Sequence, residues 1–84
     1  MIDDKLFDSE GDPPVKQLRM LLGMSQFEFA VLVGVTPSTV SRWEDGKGRP
    51  SFTPGGFKRL LEALAPYGLT LNDLPDDLGR AGQS

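Results

Sequence analysis

Cysteine and histidine are both absent from this 84-residue chain. Without cysteine there are no disulfides and no thiolate metal ligands. Without histidine the commonest general base and the commonest transition-metal ligand are missing. No apolar run approaches the ~20 residues that a membrane-spanning helix needs. The opening stretch, MIDDKLFDSE, is acidic and lacks the apolar centre of a secretory signal. These absences predict a cytoplasmic protein that is not an enzyme and carries no cofactor and no metal. Gly55-Gly56 lacks the Lys-Ser/Thr context of a phosphate loop. Asp73, Asp76 and Asp77 are interrupted by Leu74 and Pro75 and fit no EF-hand, so they read as a solvated acidic tail.

What is present describes one small globular domain. Apolar residues make up 38% and charged residues 25%, which is too apolar for a disordered chain. The length sits just above the roughly 70–80 residues below which a single core supplies only a few kcal/mol. A partner subunit is therefore a natural source of further stability. The net charge of -3 conceals an uneven spread. Residues 1–12 carry -4, residues 13–59 carry +4 and residues 60–84 carry -3. A basic middle between acidic ends keeps nucleic acid open as a partner despite the acidic total.

Start and stop signals divide the chain into short helices. Residues 1–13 read as an acidic arm, 14–78 as the folded domain and 79–84 as a flexible tail. Pro14 to Leu22 is predicted as a first helix, with Asp12 before it as a candidate cap and Gly23 as the stop. Ser25-Gln26-Phe27-Glu28 is a capping box, flanked by Met24 and Phe29 at staple positions, and opens a second helix that ends at Gly34. Thr36 then caps a third helix, Pro37 to Asp45, with Val35 and Val40 as its staple. A fourth helix begins at Pro54 or Gly56 and ends at Ala65, using Phe57, Leu60, Leu61 and Leu64 as its apolar positions. Thr70 to Leu74 is short but suits a fifth helix, with Leu69, Leu71 and Leu74 turned inward. The expected fold is therefore all-α with five helices.

The second and third helices are joined by Gly34 and Val35 alone before the next cap. So tight a joint forces a steep crossing. Ala30 supplies the small side chain such a crossing needs, Gly34 tolerates positive φ in the turn, and Val40 wedges into the shared core. That is the pattern of a helix-turn-helix. An ordinary helical hairpin is the plainer alternative, but the paired caps make coincidence a weaker explanation.

Over Val15 to Ser51 the chain resembles the Xre/Cro/cI-type repressor family, most tellingly at GMSQ, FA followed by GV, TVSRWE, and GK followed by PS. The fourth helix and LTLNDL extend the likeness to Leu74. The resemblance implies a compact five-helix, lambda-repressor-like domain that binds double-stranded operator DNA, usually as a homodimer. It places the third helix in the major groove. With Val40 and Trp43 facing the core, Ser38, Thr39, Ser41 and Arg42 are left on the outer side. Arg42 has the fork that matches guanine O6 and N7. Ser38 and Thr39 are short enough to read bases or bond phosphate. Gln26 heads the second helix, where free amides and the positive dipole end suit a phosphate. Thr36, Lys47 and Arg49 complete the candidate DNA-contact set, against the plainer reading of solvated side chains. Arg19 and Glu44 match a pair that bridges the first and third helices in many relatives, and are assigned a structural role.

Two departures stand out against that family. Pro37 replaces a long polar side chain, giving up one reader. The loop before the fourth helix and the junction Ala65-Pro66-Tyr67-Gly68 are longer than usual. Those regions commonly supply the dimer contact, so no dimer geometry carries over. Phe27 and Val31 form a second apolar stripe on the second helix. Leu6 and Phe7 of the arm are expected to cover it, with a protein partner as the alternative. The resemblance also implies a rival to a repressor, since small domains of this family often do both: an antitoxin-type protein that holds a small toxin and regulates its own operon.

Overall fold

The structure, a computed structural model, describes residues 12–74. Among these residues it is all-helical, with α1 at Pro14–Leu21, α2 at Gln26–Val33, α3 at Pro37–Glu44 and α4 at Pro54–Leu64. The arm and the tail fall almost wholly outside the described residues, and so do Leu6 and Phe7.

Local chemistry explains where the helices start. Ser25 and Glu28 form the reciprocal box, with Glu28 N donating to Ser25 Oγ at 3.1 Å and Ser25 N donating to Glu28 Oε1 at 2.8 Å. Thr36 Oγ1 accepts from Thr39 N at 3.2 Å, and Thr53 Oγ1 accepts from Gly56 N at 3.1 Å. Each cap satisfies one of the amides that a helix leaves without an internal partner. The start of α1 differs from expectation. Pro13, not Asp12, is the cap residue, and it makes no side-chain bond. Asp12 instead pairs its carboxylate with Lys16 at 3.4 Å and lends its carbonyl to Gln17 Nε2 at 2.8 Å.

The stop between α2 and α3 depends on Gly34, whose φ of 79° lies in the left-handed region. That turn lets Val35 N donate back to Ala30 O at 2.9 Å, closing the end of α2 and turning the chain into the cap of α3. An L-residue there would be strained by roughly 1–2 kcal/mol.

The core draws on all four helices: Val15 and Leu18 from α1, Phe29, Ala30 and Val33 from α2, Val40 and Trp43 from α3, and Leu60 and Leu64 from α4, with Leu69 closing the bottom. Phe57 and Leu61 are half-buried beside it. Ala30 sits at the α2–α3 crossing with no exposed surface, as a close approach requires.

The fifth helix is not formed as expected. After α4 come two single 3₁₀ turns, Ala65–Tyr67 and Leu71–Asp73. Five residues cannot repay the nucleation of an α-helix, and a 3₁₀ turn needs fewer. Thr70 N donates to Asp73 Oδ2 at 2.8 Å, which commits that oxygen to the turn. The turn also reverses one inward assignment: Leu69 is buried and Leu74 half-buried, but Leu71 is exposed.

Candidate nucleic-acid interface

Helix α3 presents two unlike faces. Val40 and Trp43 are buried, whereas Pro37, Ser38 and Arg42 are exposed and Thr39 and Ser41 are half-buried. The outer face is thus hydroxyls and one guanidinium, with no large apolar side chain among them. Thr36 and Thr39 are partly committed to the helix start: their hydroxyls lie 2.9 Å apart, in addition to the cap bond. That leaves Ser38, Ser41 and Arg42 with more of their hydrogen-bonding capacity to offer a ligand.

Arg42 is steered by the following loop. Its Nη2 donates to Lys47 O at 3.3 Å, while Lys47 N donates back to Arg42 O at 2.9 Å. The exposed cations Lys47 and Arg49 are carried on the same loop. Aromatic packing anchors it: Phe52 meets Trp43 edge-on at 5.4 Å between ring centroids and stacks on Phe57 at 5.9 Å. The basic loop is therefore tied to the core just behind α3. Asp45, at the end of α3, is exposed.

Orientation of α3 comes from a buried polar cluster that joins three helices. Glu44, whose side chain is 5% exposed, accepts from Arg19 Nε at 2.6 Å and from Arg19 Nη2 at 3.0 Å. Arg19 Nη1 also donates to Met24 O at 2.9 Å, pinning the α1–α2 connection. The fork is bidentate, the geometry in which an arginine–carboxylate pair is strongest. The hydrogen bond to Glu44 raises the pKa of the Arg19 guanidinium above its ordinary value; burial opposes the rise and Coulomb attraction to Glu44 adds to it.

Gln26 belongs to this cluster as well, which the sequence did not reveal. Its Nε2 donates to Glu44 Oε1 at 3.1 Å. The side chain expected to meet a phosphate at the head of α2 is also held against α3, with its remaining amide groups at the α2 N-terminus. A second unforeseen contact is Arg59 of α4, whose Nε donates to Leu32 O at 2.7 Å, near the helix-turn-helix joint. Both bonds span large sequence distances and depend on how the helices cross, so no local pattern announces them. Phe27 and Val31 are each 64% exposed on the outer side of α2.

Against known families, the model described as Helix-turn-helix matches residues 15–53. Residues 15–53 are thus similar to the Xre/Cro/cI-type helix-turn-helix family. This is a family of DNA-binding transcription regulators and is not typically enzymatic. The match covers α1 to α3 and the anchored loop and stops before α4. Neither the curated proteins nor the solved structures yielded a match.

Proposed function

We propose that this chain is a sequence-specific repressor that lays α3 in the major groove of duplex DNA and binds as a homodimer. One observation carries the reading: Ser38 and Arg42 are exposed on α3 while Val40 and Trp43 fix the opposite face in the core. A groove-reading helix needs its polar edge outward and its orientation held by the fold. Arg42 reads a base, with guanine the best match to its fork. Ser38, Thr39 and Ser41 read bases or bond phosphate. Gln26, held by Glu44, presents its free amide groups to a phosphate at the α2 N-terminus. Thr36, Lys47 and Arg49 contact the backbone from either end of α3. Two-fold symmetry predicts a pseudo-palindromic site with half-sites about one helical turn apart.

Selection on a pool of random duplexes tests this directly. The wild-type chain should enrich one pseudo-palindrome. Arg42→Ala should cost about 1–3 kcal/mol on it and relax the preference at one base pair. Lys47→Ala should weaken all duplexes alike and flatten the salt dependence. Enrichment of no sequence, or an Arg42→Ala variant that selects as before, would contradict the proposal.

One observation favours the antitoxin reading. Phe27 and Val31 place two apolar side chains side by side at i, i+4 spacing, each largely in solvent. A small protein partner that buries them would also serve an autoregulating antitoxin. Phe27→Ser with Val31→Ser should then abolish co-purification of that partner and leave DNA selection intact.

A further inference from the structure

We propose that Arg59 is a positioning residue for α3, acting through the turn and not through DNA; this rests on the DNA-binding reading above. Leu32 lies in the last turn of α2, where carbonyls run out of amides from the same helix. Arg59, from the middle of α4, supplies the missing donor through Nε at 2.7 Å. Its guanidinium then lies along the turn itself. Nη2 is 3.1 Å from where a Cβ on Gly34 would stand, and Nη1 is 3.6 Å from the same point on Gly55. The start of α4 is pressed against the same helix end, because a Cβ on Gly56 would fall 2.4 Å from Val33 O. A cation at this end also meets the negative pole of the α2 dipole.

The consequence for α3 follows from the chain path. Only Val35 and Thr36 separate Gly34 from the first residue of α3. The direction in which α3 leaves therefore depends on the torsions of a turn that Arg59 braces from outside. Arg59 works at the C-terminal end of α2, while Gln26 stands at its N-terminal end, about 12 Å away for a helix of this length. The end offered to phosphate and the end held by Arg59 are thus opposite ends of one helix.

Three full-length proteins separate this role from its rivals: wild type, Arg59→Met and Arg59→Lys. Each is titrated with the duplex enriched by wild type and with a random-sequence duplex of equal length. The titrations span a range of salt, at a temperature where circular dichroism shows full folding. Arg59→Met should weaken the enriched duplex about five- to tenfold, with the random duplex and the salt slope unchanged. Arg59→Lys, whose ammonium still reaches a carbonyl, should recover most of the loss. Backbone amide exchange gives a readout without DNA: Arg59→Met should speed exchange at Gly34 and Val35 more than in α1. Equal binding by wild type and Arg59→Met overturns the role. So does a loss shared by both duplexes with a shallower salt slope, which marks a direct phosphate contact. A wild-type chain that enriches no duplex overturns the DNA reading itself and the role with it.

Discussion

Removing the Glu44 carboxylate is the most informative single change in this fold. Glu44→Ala leaves three donors without their acceptor: Arg19 Nε, Arg19 Nη2 and Gln26 Nε2. Breaking one side of a buried ion pair costs about 3–5 kcal/mol, because the stranded charge stays out of water. Here Arg19 keeps its bond to Met24 O and its side chain is 15% exposed, so partial rehydration is open to it. The lower end of the range, about 3 kcal/mol, is therefore expected. A chain of this size has roughly 4–13 kcal/mol of stability in all. The loss should lower Tm by about 12–24 °C, at 4–8 °C per kcal/mol. Urea unfolding followed by far-ultraviolet circular dichroism measures it, with an unchanged m value as the check on two-state behaviour. The companion variant replaces both partners, Arg19→Met with Glu44→Leu. It should regain much of the stability, since an apolar pair has no charge to desolvate. A Glu44→Ala protein within 1 kcal/mol of wild type would refute the claim that this cluster holds α3 in place.

Adjacent glycines in α4 should respond in opposite ways. Gly56→Ala drives a methyl into the Val33 carbonyl at 2.4 Å and should cost about 1–3 kcal/mol. At Gly55 the nearest atom is the end of the Arg59 side chain at 3.6 Å, so Gly55→Ala should be neutral or stabilise by up to about 1 kcal/mol; thermal melts of the pair decide it. Thr53→Ala removes the α4 cap and should cost about 1 kcal/mol in the same assay. Stability should be flat between pH 6 and 9. The folded pKa of Arg19 is raised, so its contribution is complete below the ordinary arginine range and fades only as pH climbs through the still higher folded value. The chain has no histidine or cysteine to titrate in between. A melting temperature that slopes across this window would show that another group's protonation is coupled to folding.

The features legible in the sequence were those decided within about one helical turn. The Ser25–Glu28 box, the Thr36 cap and Gly34 act on atoms three to five residues away, and α2 spans the residues they delimit. Core positions followed from the same periodicity, because a helix four residues on returns to the same face. The departure at the fifth helix falls where that logic is weakest. The segment from Thr70 to Leu74 is too short for spacing to distinguish an α turn from a 3₁₀ turn, and the difference moved Leu71 from the inside to the outside.

The Arg19–Glu44 bridge to α3 was expected from the resemblance and is formed; what stayed illegible is the pair of contacts that reinforce it. Gln26 reaches Glu44 across 18 positions and Arg59 reaches Leu32 across 27. Such bonds exist only once the crossing angles exist, so a local pattern can nominate the reading side chains but not aim them. The outer face needs only exposed polar residues, and many short helices have those. Base reading needs a guanidinium held in register with a base edge, and the groove tolerates little error in that register. Under the proposed reading, the atoms that would set it are the Glu44 carboxylate inside the fold and the Arg59 guanidinium behind the turn, neither of them on the polar edge. Substitutions at these two positions should therefore alter which sequences are preferred, whereas Lys47 and Arg49 should alter mainly how tightly any duplex is held. Discrimination and affinity would then be mutable apart from each other in so small a domain.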